Sequence, residues 1–166
     1  MACIKSVKLN KTMRILLLTA LLFSFTGIAA QDRTLQRKQQ YNIGDNGLAI
    51  KGYDPVAYFI KKKAVKGSKD LAVIHQGVVY YFSSAGNREL FKKNPAAYEP
   101  QYGGWCAYAM GETNEKVTID PETFKIIGGK LFLFYNRFFT NTLTKWNKDE
   151  NNLHKKADVN WAGFYN

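Results

Sequence analysis

Cysteine and histidine are the scarcest reactive residues in this chain of 166 residues, and their scarcity removes whole classes of chemistry. The two cysteines are Cys3 and Cys106, and the two histidines are His75 and His154. Cys3 lies ahead of an apolar run that reads as an export signal. Once that segment is removed, Cys106 stands alone and no internal disulfide can form, so stability must come from packing. There is no paired-cysteine knuckle, no His-Glu-x-x-His helix, no phosphate-cradling glycine loop and no Gly-x-Ser-x-Gly elbow. These absences argue against an ordinary hydrolase or nucleotide enzyme and for a non-enzymatic module.

Acidic residues are missing from the first thirty positions, where Lys5, Lys8, Lys11 and Arg14 precede the apolar run from Ile15 to Ala29. Thr19, Ser24, Thr26 and Gly27 interrupt that run, and small residues close it before Gln31-Asp32-Arg33. This is the anatomy of a cleavable signal peptide over residues 1–30, with cleavage after Ala30 and a periplasmic or extracellular destination. A retained membrane anchor is the alternative, but it would want about 20 strongly apolar residues. No cysteine sits near the cleavage site, which argues against lipid anchoring. From Gln31 onward 20 basic residues face 13 acidic ones. The lysines are spread along the chain rather than gathered in an arginine-rich block, so nucleic acid is not the expected partner, whereas peripheral contact with an anionic envelope surface is compatible with the charge.

Residues 31–47 are polar and glutamine-rich without apolar periodicity, and read as a flexible leader. A single domain is expected over 48–166. Gly52-Tyr53-Asp54-Pro55 supplies a turn whose aspartate caps a short helix over Val56 to Phe59. The runs Leu71–His75 and Val78–Phe82, joined at Gln76-Gly77, predict a hairpin. Ser83 or Ser84 then caps a helix that turns Leu90 and Phe91 inward and leaves Asn87, Arg88, Glu89, Lys92 and Lys93 wet. A second hairpin is predicted by Phe124–Ile127 and Lys130–Phe134 around Gly128-Gly129. Asn136 is a plausible cap for a following helix, with Phe139, Leu143 and Trp146 on one stripe. The tail from Asn151 would form a closing segment anchored by Trp161, Phe164 and Tyr165. The expected fold class is α+β: a small antiparallel sheet from two β-hairpins with short packed helices.

The most unusual local sequence runs from Gln101 to Met110 and holds Gly103-Gly104-Trp105-Cys106. The thiol of Cys106 and the thioether of Met110 are soft donors, four residues apart, and on a helix that spacing puts both on one face. With His75 they form a candidate set of metal ligands for copper or another soft ion. The competing reading packs Cys106 in the core as a small hydrophobe. A thiol-histidine catalytic pair of Cys106 with His75 would need the hairpin end and the glycine stretch to meet in space.

The segment from Gly52 to Met110 resembles the YHS domain. Asp54-Pro55-Val56 is similar to the family's opening Asp-Pro-Val, Gly77-Val78-Val79-Tyr80-Tyr81-Phe82 to its Gly-x-x-Tyr-Tyr-Phe strand, and Phe91, Asn94-Pro95 and Tyr98 to its Phe-x-x-Asn-Pro-x-x-Tyr ending. The remainder looks like an exported bacterial subgroup. The resemblance implies a small module of the kind attached to copper and heavy-metal handling proteins. Metal-associated versions place cysteines where this chain holds Ala57, Ser83 and Asn87, so the family's thiolate site cannot be assembled at those positions. Two functional expectations follow: a binding module for a metal or small ligand around Cys106, or an envelope accessory and protein-interaction domain in which Cys106 is purely structural.

Overall fold

The computed structural model describes residues 32–165. The signal-like segment, with Cys3 and the bond after Ala30, lies outside the described residues. The order of elements is α1 (residues 32–40), a 3-10 turn at Ile50–Gly52, α2 (Ala57–Ile60), β1 (Ser68–His75), β2 (Val78–Phe82) and α3 (Ala85–Lys93). After two more 3-10 turns come α4 (Ala107–Glu112), β3 (Asp120–Ile127), β4 (Lys130–Phe134), β5 (Asn136–Arg137), β6 (Thr140–Asn141), α5 (Thr142–Trp146) and α6 (Glu150–Gly163). The fold is α+β, and among the described residues the strands form three antiparallel hairpins, each a two-stranded sheet of its own.

Alternation builds the first hairpin: Val78, Tyr80 and Phe82 of β2 are buried, while Val79 and Tyr81 between them are half-buried, as the period of two requires. Ser84 caps α3 by accepting from the Asn87 N–H at 3.1 Å. The helix then drops Phe91 onto Tyr80 and Phe82, with ring centroids 4.8 and 5.1 Å apart. Leu90, expected inside, is 38% exposed, and Asn87, expected wet, is buried. Asn87 goes inward because a buried carboxylate waits for its amide, as described below.

Strand β4 reads Lys-Leu-Phe-Leu-Phe, and every residue after the lysine is buried. Leu131 and Leu133 face a core shared with Val56, Tyr58, Tyr80 and Phe91, whereas Phe132 and Phe134 face a second core with Tyr102, Met110, Trp146 and Leu153. A continuous apolar run is what a strand covered on both faces needs. The second core is closed by α6, where Leu153, Ala157 and Trp161 recur at i, i+4 and i+8. Helix α6 approaches α4 closely at Gly111, where an added Cβ would lie within 3.1 Å of the Leu153 carbonyl carbon and closer still to its oxygen.

Two regions differ from expectation. The polar stretch read as a flexible leader is helical over 32–40 and docked: Arg37 is buried and donates to Glu99 and to the Tyr41 hydroxyl at 2.8 Å. The Trp105 indole N–H donates to the Gln40 carbonyl at 2.6 Å. The helix was hidden from a search for apolar stripes because polar contacts hold it. The helix expected from Asn136 is a hairpin instead: Asn136 and Arg137 pair with Asn141 and Thr140, and Phe139 is fully exposed. Helix α5 starts five residues later than that cap would place it, with Asn141 accepting from the Leu143 N–H at 3.0 Å.

At the junction of α5 and α6 the Glu150 carboxylate accepts from Lys125 and from the Trp146 indole N–H at 3.0 Å. The Lys125 hydrogen bond, with the indole and nearby positive charge, holds the Glu150 carboxyl below its ordinary range. A depressed carboxyl contributes stability above its unfolded-state pKa and loses it as pH falls through the folded one. Glu150→Gln is therefore expected to unfold more easily than wild type near neutral pH, with the difference fading below roughly pH 4.5. Urea midpoints measured from pH 3 to 7 check this, and a constant difference across that range would contradict it.

Candidate functional site

Cys106 occupies the N-cap position of α4 with extended backbone, φ −60° and ψ 116°. Its N–H donates to the Val117 carbonyl at 2.9 Å, and it bridges Leu133 of β4. The side chain is completely buried. Sγ lies 3.3 Å from the Thr142 hydroxyl and accepts from the Tyr135 N–H at 3.3 Å. Thr142 donates its own hydroxyl proton to the Tyr135 carbonyl at 2.9 Å. With that proton committed, the S–H is the donor to Thr142 Oγ1, so both the thiol proton and a sulfur lone pair are used inside the fold. The thiol thus fastens α4 to the turn leading from β4 into the third hairpin.

The partners of Sγ are Thr142 and Tyr135, and neither Met110 nor His75 is among them. Met110 is buried in the second core while Cys106 belongs to the first. The two residues are joined through the backbone, where the Met110 N–H donates to the Cys106 carbonyl at 3.0 Å. His75, at the end of β1, is half-buried and edge-on to Phe91, with ring centroids 6.0 Å apart. His154 sits beside Phe132 and Trp146, with Nε2 3.7 Å from Asp158. Among the described residues, no group of three or more His, Cys, Asp or Glu side chains is placed to hold a metal ion.

A different cluster does converge. The fully buried Asp54 accepts through Oδ1 from the Val56 N–H at 2.9 Å and the Ala57 N–H at 3.3 Å. Through Oδ2 it accepts from the Ser83 N–H at 2.8 Å, the Ser83 hydroxyl at 2.7 Å and the Asn87 amide at 2.7 Å. The three positions where the metal-associated pattern would carry cysteine, Ala57, Ser83 and Asn87, therefore all donate to one carboxylate. These hydrogen bonds tie the start of α2 to the start of α3. Asp54 was legible as a cap, but its reach to Ser83 and Asn87 was not.

Comparison with protein-family models, with curated proteins and with solved structures finds no match. The site must therefore be judged on its own geometry.

The buried phenols offer no acid-base pair. Burial pushes the Tyr58, Tyr80 and Tyr102 hydroxyls up, and neighbouring carboxylates add to it, Glu99 for Tyr80 and Asp158 for Tyr102. Each keeps its proton and donates it, to the Pro121 carbonyl at 2.9 Å, Glu99 at 2.7 Å and Asp158 at 2.9 Å respectively. On the surface, a cleft of about 550 Å³ is lined by Lys38, Asp45, Asn46, Ile74 and Val79 among others, and it holds no convergent reactive pair. The most exposed large apolar side chains are Phe138, at 86%, and Phe139, with Ile74 and Val159 next.

Proposed function

We propose that the chain is an exported, non-enzymatic interaction module on a YHS-like scaffold, in which Cys106 is structural. The observation that carries this reading is the Cys106 thiol, sealed from solvent with both its proton and a lone pair engaged. The saturated Asp54 carboxylate supports it from the other side, since the positions that resemble a metal site are spent on joining two helices. What is left to act is surface.

Metal or small-ligand handling through Cys106, with copper as the candidate ion, is the second reading. It would require the sulfur to give up Thr142 and Tyr135 for Met110 and His75, neither of which is among its hydrogen-bond partners. The two readings differ in thiol chemistry. In the processed protein, an aromatic disulfide reagent is expected to leave Cys106 unmodified for hours and to titrate one thiol on addition of denaturant. Rapid stoichiometric reaction of the native protein, or copper retained by wild type and lost in Cys106→Ser, would overturn the structural role. Intact mass of the exported product tests the destination in the same preparation: it should begin at Gln31, and a retained residue 1–30 segment would contradict cleavage.

A further inference from the structure

The three hairpins turn in the same way, and one of them does so against its own chemistry. Each turn holds both central residues at positive φ: Gln76 and Gly77 at 45° and 80°, Gly128 and Gly129 at 56° and 75°, Phe138 and Phe139 at 48° and 64°. Such turns favour Asn-Gly or Gly-Gly, because a side chain at positive φ crowds the backbone. The first two turns use glycine at one or both positions. The third has two phenylalanines, the worst fit of the three, and neither ring joins either core. The strain produces no packing within the molecule. It does produce two adjacent aromatic rings held outward at the end of a two-residue arm.

Fold chemistry anchors the base of this arm. The Asn136 amide donates to the Thr123 hydroxyl at 3.0 Å, which pins β5 to β3. Arg137 is exposed beside the rings. It lies close enough to Lys51 to act on it electrostatically, and Lys66 does the same while donating to the Lys51 carbonyl at 3.1 Å. Two carboxylates share this face and keep their charge, since their donors are neutral: Asp120 accepts from the Thr123 hydroxyl and the Glu122 N–H, and Glu122 accepts from the Tyr53 hydroxyl. With Arg137, Lys51 and Lys66 against Asp120 and Glu122, the arm joins an apolar tip to a base with a small excess of positive charge.

We infer that the Phe138-Phe139 tip is a wedge that enters the interfacial zone of an anionic lipid bilayer, with Arg137, Lys51 and Lys66 meeting the headgroups. This rests on the reading of the chain as an exported interaction module and names its partner. Charge complementarity and shape both select that occupant. A stable protein interface wants on the order of 1,000 Å². A tip two residues wide, flanked by Asn136 and Thr140, offers two rings of about 150–250 Å² each. A bilayer accepts a narrow wedge of any outline, and weak insertion becomes useful attachment when a basic surface supplies the second signal. Among the described residues no helix is long and apolar enough to cross a membrane, so attachment by this tip would be peripheral.

The test is co-sedimentation of the processed protein with vesicles of phosphatidylcholine alone or of phosphatidylcholine mixed with anionic phosphatidylglycerol. Wild type should partition onto the anionic vesicles and be released as salt rises. The paired substitution Phe138→Asn with Phe139→Gly should lower that partition about tenfold or more while leaving thermal stability equal or higher, since it installs the residues this turn prefers. A merely structural role for the rings would lower stability instead. Arg137→Glu should weaken anionic binding severalfold with little change on neutral vesicles. Binding by the paired variant equal to wild type, or no wild-type binding to anionic vesicles, overturns the wedge. So does a wild-type dimer, seen by sedimentation, that the paired variant makes monomeric. The interaction-module reading fails separately, by native thiol reactivity or retained copper.

Discussion

Asp54→Asn is expected to destabilise the domain by about 3 kcal/mol or more, although the substitution changes only one heavy atom. Five donors converge on this carboxylate, two on one oxygen and three on the other. An amide nitrogen at either place turns acceptance into donor-against-donor contact, and buried donors left unpaired cost roughly 1–3 kcal/mol each. Whichever way the amide is turned, at least two donors lose their partner. Natural domains hold only about 5–15 kcal/mol in all, so the loss is a large share of the total. Ser83→Ala should be milder, about 1 kcal/mol, because the backbone N–H and the Asn87 amide stay on the carboxylate. Urea denaturation followed by tryptophan fluorescence measures both. An Asp54→Asn loss below that of Ser83→Ala would mean that the carboxylate is not the clasp.

Gly111→Ala should run against helix propensity. In an exposed helix the change would stabilise by about 1 kcal/mol. Here the new methyl group meets the backbone of Leu153, which has no rotamer to escape through. Helices α4 and α6 must separate, and an expected loss of about 1–3 kcal/mol replaces the gain, with Gly111→Val worse. Because Met110, Trp146 and Leu153 share the core under that contact, the emission of the native variant should shift to the red as the packing loosens. A stabilised Gly111→Ala would show that the two helices tolerate separation.

The parts of the fold that were legible in the sequence are those whose signals are local. Gln76-Gly77 and Gly128-Gly129 mark their turns, the serine pair Ser83-Ser84 marks the start of α3, and the apolar run of Lys130–Phe134 marks the strand after the second turn, though not its burial on both faces. The rest failed for identifiable reasons. Phe139, Leu143 and Trp146 imitate a helical stripe, yet only Trp146 is fully buried, because a turn without glycine gave no warning before α5. Helix α1 is held by Arg37, Gln40 and Tyr41 rather than by apolar residues, so periodicity could not find it. Of the candidate site, the burial of Cys106 was one of two readings, and its place as the cap of α4 is one that spacing alone does not reveal. The convergence on Asp54 joins residues about thirty positions apart, a relation that only tertiary structure supplies.

Strand β4 has a consequence for how the molecule comes apart. Its leucines belong to one hydrophobic centre and its phenylalanines to the other, so neither half owns a wall that the other can do without. Loosening one side strips the partner layer from the opposite side of the same five residues. The two centres are bound to melt as a single cooperative unit, and damage at Asp54 on one flank or Gly111 on the other is felt by the whole domain.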